Sequence, residues 1–405
     1  MYLEQTLSGK QKLSLNVVAT GRNQDSKRSY EEIKDSAWYA LSSRLTSNAY
    51  SIISEGIYEN ELKKGKLNIG LKHLQKWTNN DYLIDALTKS SMQQSETYLY
   101  SEYTSNIGRL NYTIGIGGKR SGYTQNDGIG EYSYYNVQPT FNLFYRIKDK
   151  GSFRYRLNIY NDTPTLAQLT DVDVIIDSLQ IRRGNPALKP GMSYNNNIML
   201  DYTFNKLYLS LQATHWYSAD FIQDHSIIEK NRIIRTYRNT DTFQRLTFSL
   251  YSRLSLFDNR FFLSAKYGTH RYSTGSYIYI VPYYYFNAQY NHKNWQFYAM
   301  LYDQGAGFSG EIKQIHGTGN YLGVQYQKNN NYFTVMLSNM FIDARTTTEN
   351  ISRIAPYVKS VYAKDMIFAL SLKFARSIDF GRRFNSGQQR ISNSDSGNNA
   401  LGIGK

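Results

Sequence analysis

The sequence predicts an all-β chain that forms a large antiparallel up-and-down transmembrane β-barrel. Two observations lead to this prediction: apolar and polar side chains alternate with a period of two, and aromatic residues make up 15% of the chain. Between Lys206 and Tyr217 the alternating sets are Leu207, Leu209, Leu211 and Ala213 against Tyr208, Ser210, Gln212 and Thr214. Because successive strand side chains point to opposite faces, such a segment builds a sheet with one apolar and one polar side.

The same alternation returns along most of the chain. It recurs at Leu246, Phe248 and Leu250, and again at Leu370, Leu372 and Phe374. No segment approaches the roughly 18 consecutive apolar residues of a membrane helix. A hydrophobic content of only 41% still suits a barrel, since only every second strand residue meets lipid.

The charge and cysteine content narrow the classes of function. The net charge of +15 is spread over turns and polar strand faces, which argues against a nucleic-acid site and favours solvated turns and a polar lumen. The chain has 0 cysteines, so disulfides and thiolate metal sites are excluded. Outer-membrane lipid is the expected partner.

Short turns rich in Gly, Asn, Asp and Lys recur along the sequence, and these residues tolerate tight hairpins. They lie at 8–10, 63–65, 106–108, 148–151, 205–206, 258–259, 291–294 and 329–331. Counting between them gives about 17 strands of about 9–15 residues, against about 22 in plugged transporters. The chain begins in mid-strand without a signal peptide, so we expect a barrel lacking an N-terminal portion and open at that side.

Longer polar segments separate the strands at the other end of the predicted barrel. They are approximately 20–40, 78–92, 118–133, 161–193, 217–242, 271–276, 305–313 and 343–360. Short turns at one end and long loops at the other are typical of outer-membrane barrels, with the long loops extracellular. We expect the longest loops, around Thr163–Pro190 and Gln223–Thr242, to face a ligand.

Aromatic clusters near the strand ends suggest girdles at the membrane interface, where a tyrosine ring meets lipid and its hydroxyl meets water. The clusters are Trp38 with Tyr39, Tyr98 with Tyr100, Tyr132 with Tyr134 and Tyr135, and Tyr283 to Phe286. The β-barrel domain is expected to occupy residues 1–376. Residues 377–405, rich in Ser, Asn and Gly, are expected to form a flexible polar tail.

The sequence offers no catalytic, cofactor or metal site. Gly305 to Gly310 matches a dinucleotide-binding pattern, but no strand–helix–strand unit surrounds it, so a flexible loop is the better interpretation. The six histidines are dispersed. Asp171, Asp173 and Asp177 are separated by apolar residues and are interpreted as solvated carboxylates. We therefore expect no enzyme and no cofactor.

The segment from Ser152 to Pro190 carries a more specific pattern. A strand is followed by Thr163-Pro164-Thr165-Leu166-Ala167-Gln168-Leu169, and then by Gly184-Asn185-Pro186-Ala187-Leu188-Lys189-Pro190. The two prolines of the second motif fix φ and withhold donors, which predicts a rigid loop exit. The site residues singled out here are Thr163, Pro164, Leu166, Gln168, Leu169, Gly184, Asn185, Pro186, Leu188, Lys189 and Pro190.

These two motifs resemble the barrel of TonB-dependent outer-membrane receptors, and most closely the outer-membrane β-barrel proteins common in Bacteroidetes. The resemblance covers essentially the whole chain. It implies a non-enzymatic receptor in a Gram-negative outer membrane that takes up a nutrient such as an iron chelate, oligosaccharide or peptide. A plug domain and the TonB complex would be partners only if an upstream portion exists.

Three other functions remain open at this stage. A passive structural or adhesive barrel would bind a surface partner through its long loops. An outer-membrane protease or phospholipase would need a catalytic constellation at one rim, which the sequence does not reveal. A soluble β-solenoid or sandwich would bury the Leu207, Leu209 and Leu211 face against another sheet.

Overall fold

The computed structural model describes residues 1–34, 37–84, 86–125, 130–275, 277–340, 342, 345–362 and 368–378. Its elements, in chain order, are β1 Tyr2–Ser8, β2 Gln11–Lys34, β3 Ala37–Leu62, β4 Gly65–Leu83, β5 Leu87–Ile107, β6 Leu110–Gln125, β7 Gly130–Ile147, β8 Gly151–Asp162, α1 Leu166–Leu169, β9 Val174–Ile175, β10 Gln180–Arg182, β11 Gly191–Phe204, β12 Leu207–Glu229, β13 Arg232–Leu256, β14 Phe261–Thr274, β15 Tyr277–His292, β16 Trp295–Asp303, β17 Ala306–Ser309, β18 Ile312–His316, β19 Thr318–Lys328, β20 Asn331–Ser338, β21 Arg345–Asn350, β22 Tyr357–Tyr362 and β23 Ala369–Arg376.

One antiparallel meander makes up the wall. Each long strand pairs with the next one along the chain, and β8 pairs with β11, β16 with β19 and β20 with β23 across the intervening loop elements. Without the short β9 and β10, the 19-stranded sheet has 17 strands, in agreement with the predicted count. Within the described residues, β1 pairs only with β2 and β23 only with β20.

The short turns lie where the sequence predicts them. Several place a residue in the left-handed region, including Asn205 at φ 52°, Lys293 at φ 52° and Asn329 at φ 54°. Asparagine tolerates this conformation better than most residues, because its short polar side chain bonds to the local backbone.

The predicted strand lengths and long loops are partly wrong. The strands β2, β3, β12 and β13 have 24, 26, 23 and 25 residues, and they continue in register through segments expected to be loops. A membrane crossing needs only about 9–11 residues, so these hairpins project beyond the bilayer. Loop residues cover part of their inner face there, where Leu45 is 1% and Ile234 is 2% exposed. The segments are rich in polar residues and resemble loops in sequence, although the backbone remains paired.

One face of the wall exposes apolar side chains and the other buries polar ones, the reverse of a water-soluble protein. Leu200, Leu211 and Leu250 are cross-strand neighbours, and their side chains are 38%, 52% and 46% exposed. On the opposite face Ser193 and Ser218 are fully buried. Exposed apolar and buried polar residues are the arrangement of a lipid-facing wall around a polar interior. We call the polar side the lumen face.

The interface-girdle prediction is wrong for Tyr98, Tyr100 and Tyr132, and Tyr132 packs against the buried residues Leu166 and Leu188 of the inner side. Tyr98 and Tyr100 lie on the lumen face, and the Tyr100 hydroxyl donates to Glu55 Oε1 at 2.9 Å. A Cβ atom on Gly117 would lie 2.4 Å from the Tyr98 ring, and one on Gly70 would lie 2.2 Å from the Tyr100 ring. The rings therefore cover glycines of neighbouring strands, a known way of filling such gaps in a sheet.

The remaining girdle and domain predictions are not decided by the structure. Trp38 and Tyr135 are 68% and 74% exposed, as a girdle residue would be, and the girdle stays a prediction for them. The domain boundary at residue 376 also stays a prediction. Of the expected polar tail at 377–405, residues 379–405 lie outside the described part of the chain.

Candidate site at the mouth of the barrel

Two groups of loop elements fold back onto the lumen face at the end opposite the short turns. The first is residues 163–190, here called the lid loop, which contains α1, β9 and β10. The second is a 4-stranded sheet of β17, β18, β21 and β22, here called the second sheet. Together they place at the mouth three of the segments that the sequence predicted as long loops, 161–193, 305–313 and 343–360.

The first motif builds a single capped helical turn. The Thr165 side chain accepts from the Gln168 backbone N–H, and the Gln168 Oε1 accepts from the Thr165 N–H at 2.9 Å. This reciprocal pair is a capping box, which satisfies two donors at the helix start. Leu166 and Leu169 are each 2% exposed and pack against Met92 of the wall. Pro164, directly before the turn, is also buried.

The second motif packs directly on this turn. Gly184 N–H donates to the Thr170 carbonyl at 3.0 Å, and Asn185 N–H donates to the Gln168 carbonyl at 2.6 Å. A Cβ atom on Gly184 would lie 2.5 Å from the Thr170 oxygen, so only glycine fits. Leu188 is 1% exposed and joins the cluster of Leu166 and Leu169. The structure thus brings both sequence motifs together.

Hydrogen bonds from several strands hold the lid loop at the wall. Asn185 Nδ2 donates to the Tyr237 carbonyl at 2.8 Å. Asn239 Oδ1 accepts from the Lys189 N–H at 2.9 Å, and its Nδ2 donates to the Lys189 carbonyl at 2.8 Å. Thr163 Oγ1 donates a hydrogen bond to Glu96 Oε1 at 3.3 Å, and the Tyr132 hydroxyl donates one to the Pro186 carbonyl. Pro190 is half-buried and lies directly before β11.

The middle of the lid loop reaches β2, β3 and β4. Val172 and Val174 pack against Leu45 and Tyr82 in a buried cluster. Arg28 Nη2 donates to the Ile176 carbonyl at 2.6 Å. Further ties are Ser178 Oγ to Glu32 Oε2 at 2.6 Å and the parallel pairing of β10 with β13. The loop therefore spans the lumen face from β2 to β13.

Arg183 links two parts of the mouth electrostatically. Its guanidinium donates to Asp173 Oδ2 at 2.8 Å and to Glu229 Oε2 at 2.8 Å. The hydrogen bond that Arg183 donates to Asp173 raises the pKa of Arg183 above its ordinary value; partial burial opposes this rise, and the hydrogen bond to Glu229 adds to it. Asp177 Oδ1 accepts the Gln180 N–H at 2.8 Å. Asp173 and Asp177 thus have protein partners, and Asp173 remains 45% exposed to solvent.

The second sheet packs on β13, β14 and β15. Ala306 and Phe308 lie in a buried cluster with Phe243, Tyr272 and Val281, and the Tyr272 hydroxyl donates to the Ala306 carbonyl at 3.2 Å. The predicted flexible loop at Gly305 to Gly310 is therefore wrong, since residues 306–309 form β17. Its two end glycines have φ of 71° and 61°, which is why the segment resembles a glycine-rich loop in sequence.

Hydrogen bonds and a cation–π contact hold the second sheet against β12 and β13. Glu311 lies between His225 Nδ1 at 3.3 Å and Ser226 Oγ at 3.0 Å. Arg235 sits 4.8 Å from the ring centre of Tyr357. These partners lie in the hairpin predicted as the loop Gln223–Thr242, which the structure shows as the paired ends of β12 and β13. Sequence alternation assigns such residues to a face but gives no sign of the loop that will cover them.

The structure gives no metal site within the residues it describes, where no group of three or more His, Asp and Glu could hold an ion. In the same part of the chain, no helix is long and apolar enough to cross a membrane. The arrangement at the mouth is instead one of folded loops tied to a wall. Buried apolar side chains and backbone hydrogen bonds hold these loops in place.

Comparison with known proteins agrees with this architecture. The model of the outer membrane protein beta-barrel family matches residues 5–378. The chain belongs to this family. It is therefore an outer-membrane protein that crosses the bilayer with many strands. No curated protein matches the sequence.

Solved structures with a similar fold are transporters and receptors by name. The copper transporter OprC has a TM-score of 0.63 at 10% identity, over 82% of this chain and 58% of that chain. BauA, the ferric preacinetobactin receptor of Acinetobacter baumannii, has 0.56 at 8% identity, over 89% and 60%. The FrpB iron transporter of Neisseria meningitidis has 0.54 at 10%, over 88% and 69%. At these identities the likeness is one of fold, and the chain spans about three fifths of the first two.

Proposed function

We propose that this chain forms the barrel of a TonB-dependent receptor that takes up a nutrient ligand, such as an iron chelate, oligosaccharide or peptide, without enzymatic chemistry. The observation that carries the proposal is that two folded loop groups pack on the lumen face at the mouth. The lid loop is hydrogen-bonded across strands from β2 to β13, and the second sheet is anchored on β13 to β15. Ordered loops across the mouth would restrict free passage, as gated uptake requires and a freely permeable pore does not.

The fold similarity to named copper and iron transporters supports the same proposal. A plug domain and a TonB complex are the partners that the proposal requires. The ligand-facing surface would be the outer side of the lid loop and of the β12–β13 hairpin, because extracellular loops on a rigid wall commonly carry recognition.

Energy-dependent uptake tests the proposal against an adhesive barrel. The gene is expressed in two Gram-negative hosts, one with TonB and one without it. The accumulation of radioactive ferric chelates, labelled oligosaccharides and labelled peptides is then measured in both. We expect at least one probe to accumulate in the host with TonB and not in the other. Surface binding of the probes without accumulation in either host would favour adhesion and contradict the proposal.

A further inference from the structure

A polar cavity of about 510 Å³ lies on the lumen face, nearer the short turns than the lid loop. It is lined mainly by lumen-face side chains of β6, β7, β8, β11 and β12. Arg154 and Arg156 lie at its centre, and Asn142, Asn158 and Asn197 flank them. None of the described residues that line it is acidic.

The positive charge of the two arginines is only partly compensated. Arg154 Nη2 lies 3.5 Å from Asp201 Oδ2, at the limit of a hydrogen bond, and its side chain is 55% exposed. Asp201 already accepts the Tyr208 hydroxyl at 2.8 Å and Ser152 Oγ at 3.1 Å. Arg156 Nε donates to the neutral Asn142 Oδ1 at 2.9 Å. The cavity therefore retains a net positive charge.

Strand register places amides on both sides of this charge. Arg156 is opposite Asn142 on β7 and opposite Asn197 on β11. Two residues further toward the mouth, Asn158 is opposite Asn195, whose Oδ1 is buried without a partner. Amide side chains both donate and accept, which matches the dual character of ligand hydroxyls. The guanidinium fork in turn matches a carboxylate in two parallel hydrogen bonds.

We propose that this cavity, here called the arginine station, binds a carboxylate-bearing and hydroxyl-rich small molecule, such as an acidic saccharide, on its way through the barrel. The proposal rests on the proposed uptake function, whose ligand class it specifies. The carboxylate would lie between Arg154 and Arg156, and the hydroxyls would contact the amides. Three probes distinguish the contribution of the carboxylate from that of the hydroxyls. Trigalacturonate has both groups, tricarballylate has only carboxylates and maltotriose has only hydroxyls.

Binding of the three probes is measured by calorimetry on the purified full chain in detergent. We expect trigalacturonate to bind most tightly and maltotriose most weakly. Substituting both arginines, Arg154→Gln and Arg156→Gln, should weaken trigalacturonate by about 10-fold to 100-fold, since a hydrogen bond to a charged group contributes about 1.5–3 kcal/mol. Arg120→Gln is the matched control, because Arg120 is exposed near the tip of β6 and outside the cavity.

Equal affinity of the double variant and the protein for trigalacturonate would overturn the proposal, and so would equal binding of maltotriose and trigalacturonate. Retention of the far-ultraviolet circular dichroism signal shows that the variant is folded. Because binding is measured on purified protein, its failure leaves the uptake assay to be judged separately. Normal binding combined with failed accumulation in cells would contradict only the proposed uptake.

Discussion

Single residues at the mouth show what the sequence pattern meant physically. Gly184, Asn185 and Leu188 could be recognised as a motif, but only their contacts explain their identity: close backbone packing, a carbonyl to bind and a buried cluster. These contacts come from Thr170 in the same loop and from Tyr237 and Met92, which are distant in sequence. A local pattern cannot identify such partners, so the motif was predictable and its role was not.

Substitution of Gly184 by alanine tests the close packing. A Cβ atom would meet the Thr170 and Gln168 oxygens at 2.5 and 2.6 Å, so the lid loop must shift. Overpacking of this kind costs about 1–3 kcal/mol. We expect hydrogen exchange of the lid-loop amides to accelerate by about tenfold or more. Gly118→Ala, which meets nothing within 4 Å, should leave exchange unchanged. Equal exchange in both variants would contradict this packing.

Asp162, the last residue of β8 at the mouth, provides a pH test. Burial raises its pKa above the ordinary value, while the hydrogen bond from Ser193 and the charge of Lys119 oppose the rise. For a carboxyl with a raised pKa in the folded state, stability is greatest below the unfolded pKa of 3.8 and declines as pH rises through the folded pKa.

Asp162→Asn should remove this decline. Melting temperatures in detergent are compared between about pH 3 and pH 7, which spans the ordinary pKa of an aspartate. We expect the variant to gain stability relative to the protein as pH increases, and the two to converge at the acidic end. A variant that loses relative stability with rising pH would show that Lys119 and Ser193 dominate over burial.

At the scale of elements, the meander and its short turns followed from the sequence because alternation and turn residues are local signals. The lengths of β2, β3, β12 and β13 did not, since the apolar–polar alternation weakens where the hairpins leave the membrane. The second sheet was also missed. Its strands are only 4 to 6 residues long, too short for a periodic pattern.

Phe308 is expected to anchor β17 and β18 to the wall. Its side chain is 6% exposed and packs with Phe243 and Tyr272. Replacing a buried phenylalanine by alanine costs about 3–5 kcal/mol, so Phe308→Ala should make residues 304–317 sensitive to protease. Phe257→Ala, at a 69% exposed position in a short turn, is the control. Unchanged protease resistance of the Phe308 variant would contradict the anchoring role.

Restraining the lid loop tests whether it must move. The chain has 0 cysteines, so an introduced pair is unambiguous. Cysteines at Glu32 and Ser178, whose side chains meet at 2.6 Å, are joined by a short thiol cross-linker. We expect the cross-linked variant to stop taking up the probe that accumulates in the TonB experiment. The same variant without the cross-linker should take it up normally. The pair at Thr347 and Ser360 lies within the second sheet and serves as control. Uptake that survives the Glu32–Ser178 link would show that uptake does not require this loop to move away from β2.

For the whole molecule, the class of protein was readable from the sequence because of one rule: the lipid environment requires apolar side chains on the outer face of every strand. Exposed leucines such as Leu211 and Leu250 follow that rule all along the wall. The packing of the lid loop across the mouth was not readable, since it depends on contacts between segments more than a hundred residues apart, such as Arg28 with Ile176. The ligand class depends in turn on which polar strand faces meet.

Ion conductance in planar bilayers tests the central claim that folded loops close this outer-membrane barrel. The full chain is compared with a variant in which residues 164–189 and 305–316 are replaced by short glycine–serine linkers. The account predicts low conductance for the full chain and a several-fold larger single-channel conductance for the variant. A full chain that already conducts as a wide channel, with no increase after the loops are removed, would contradict the account.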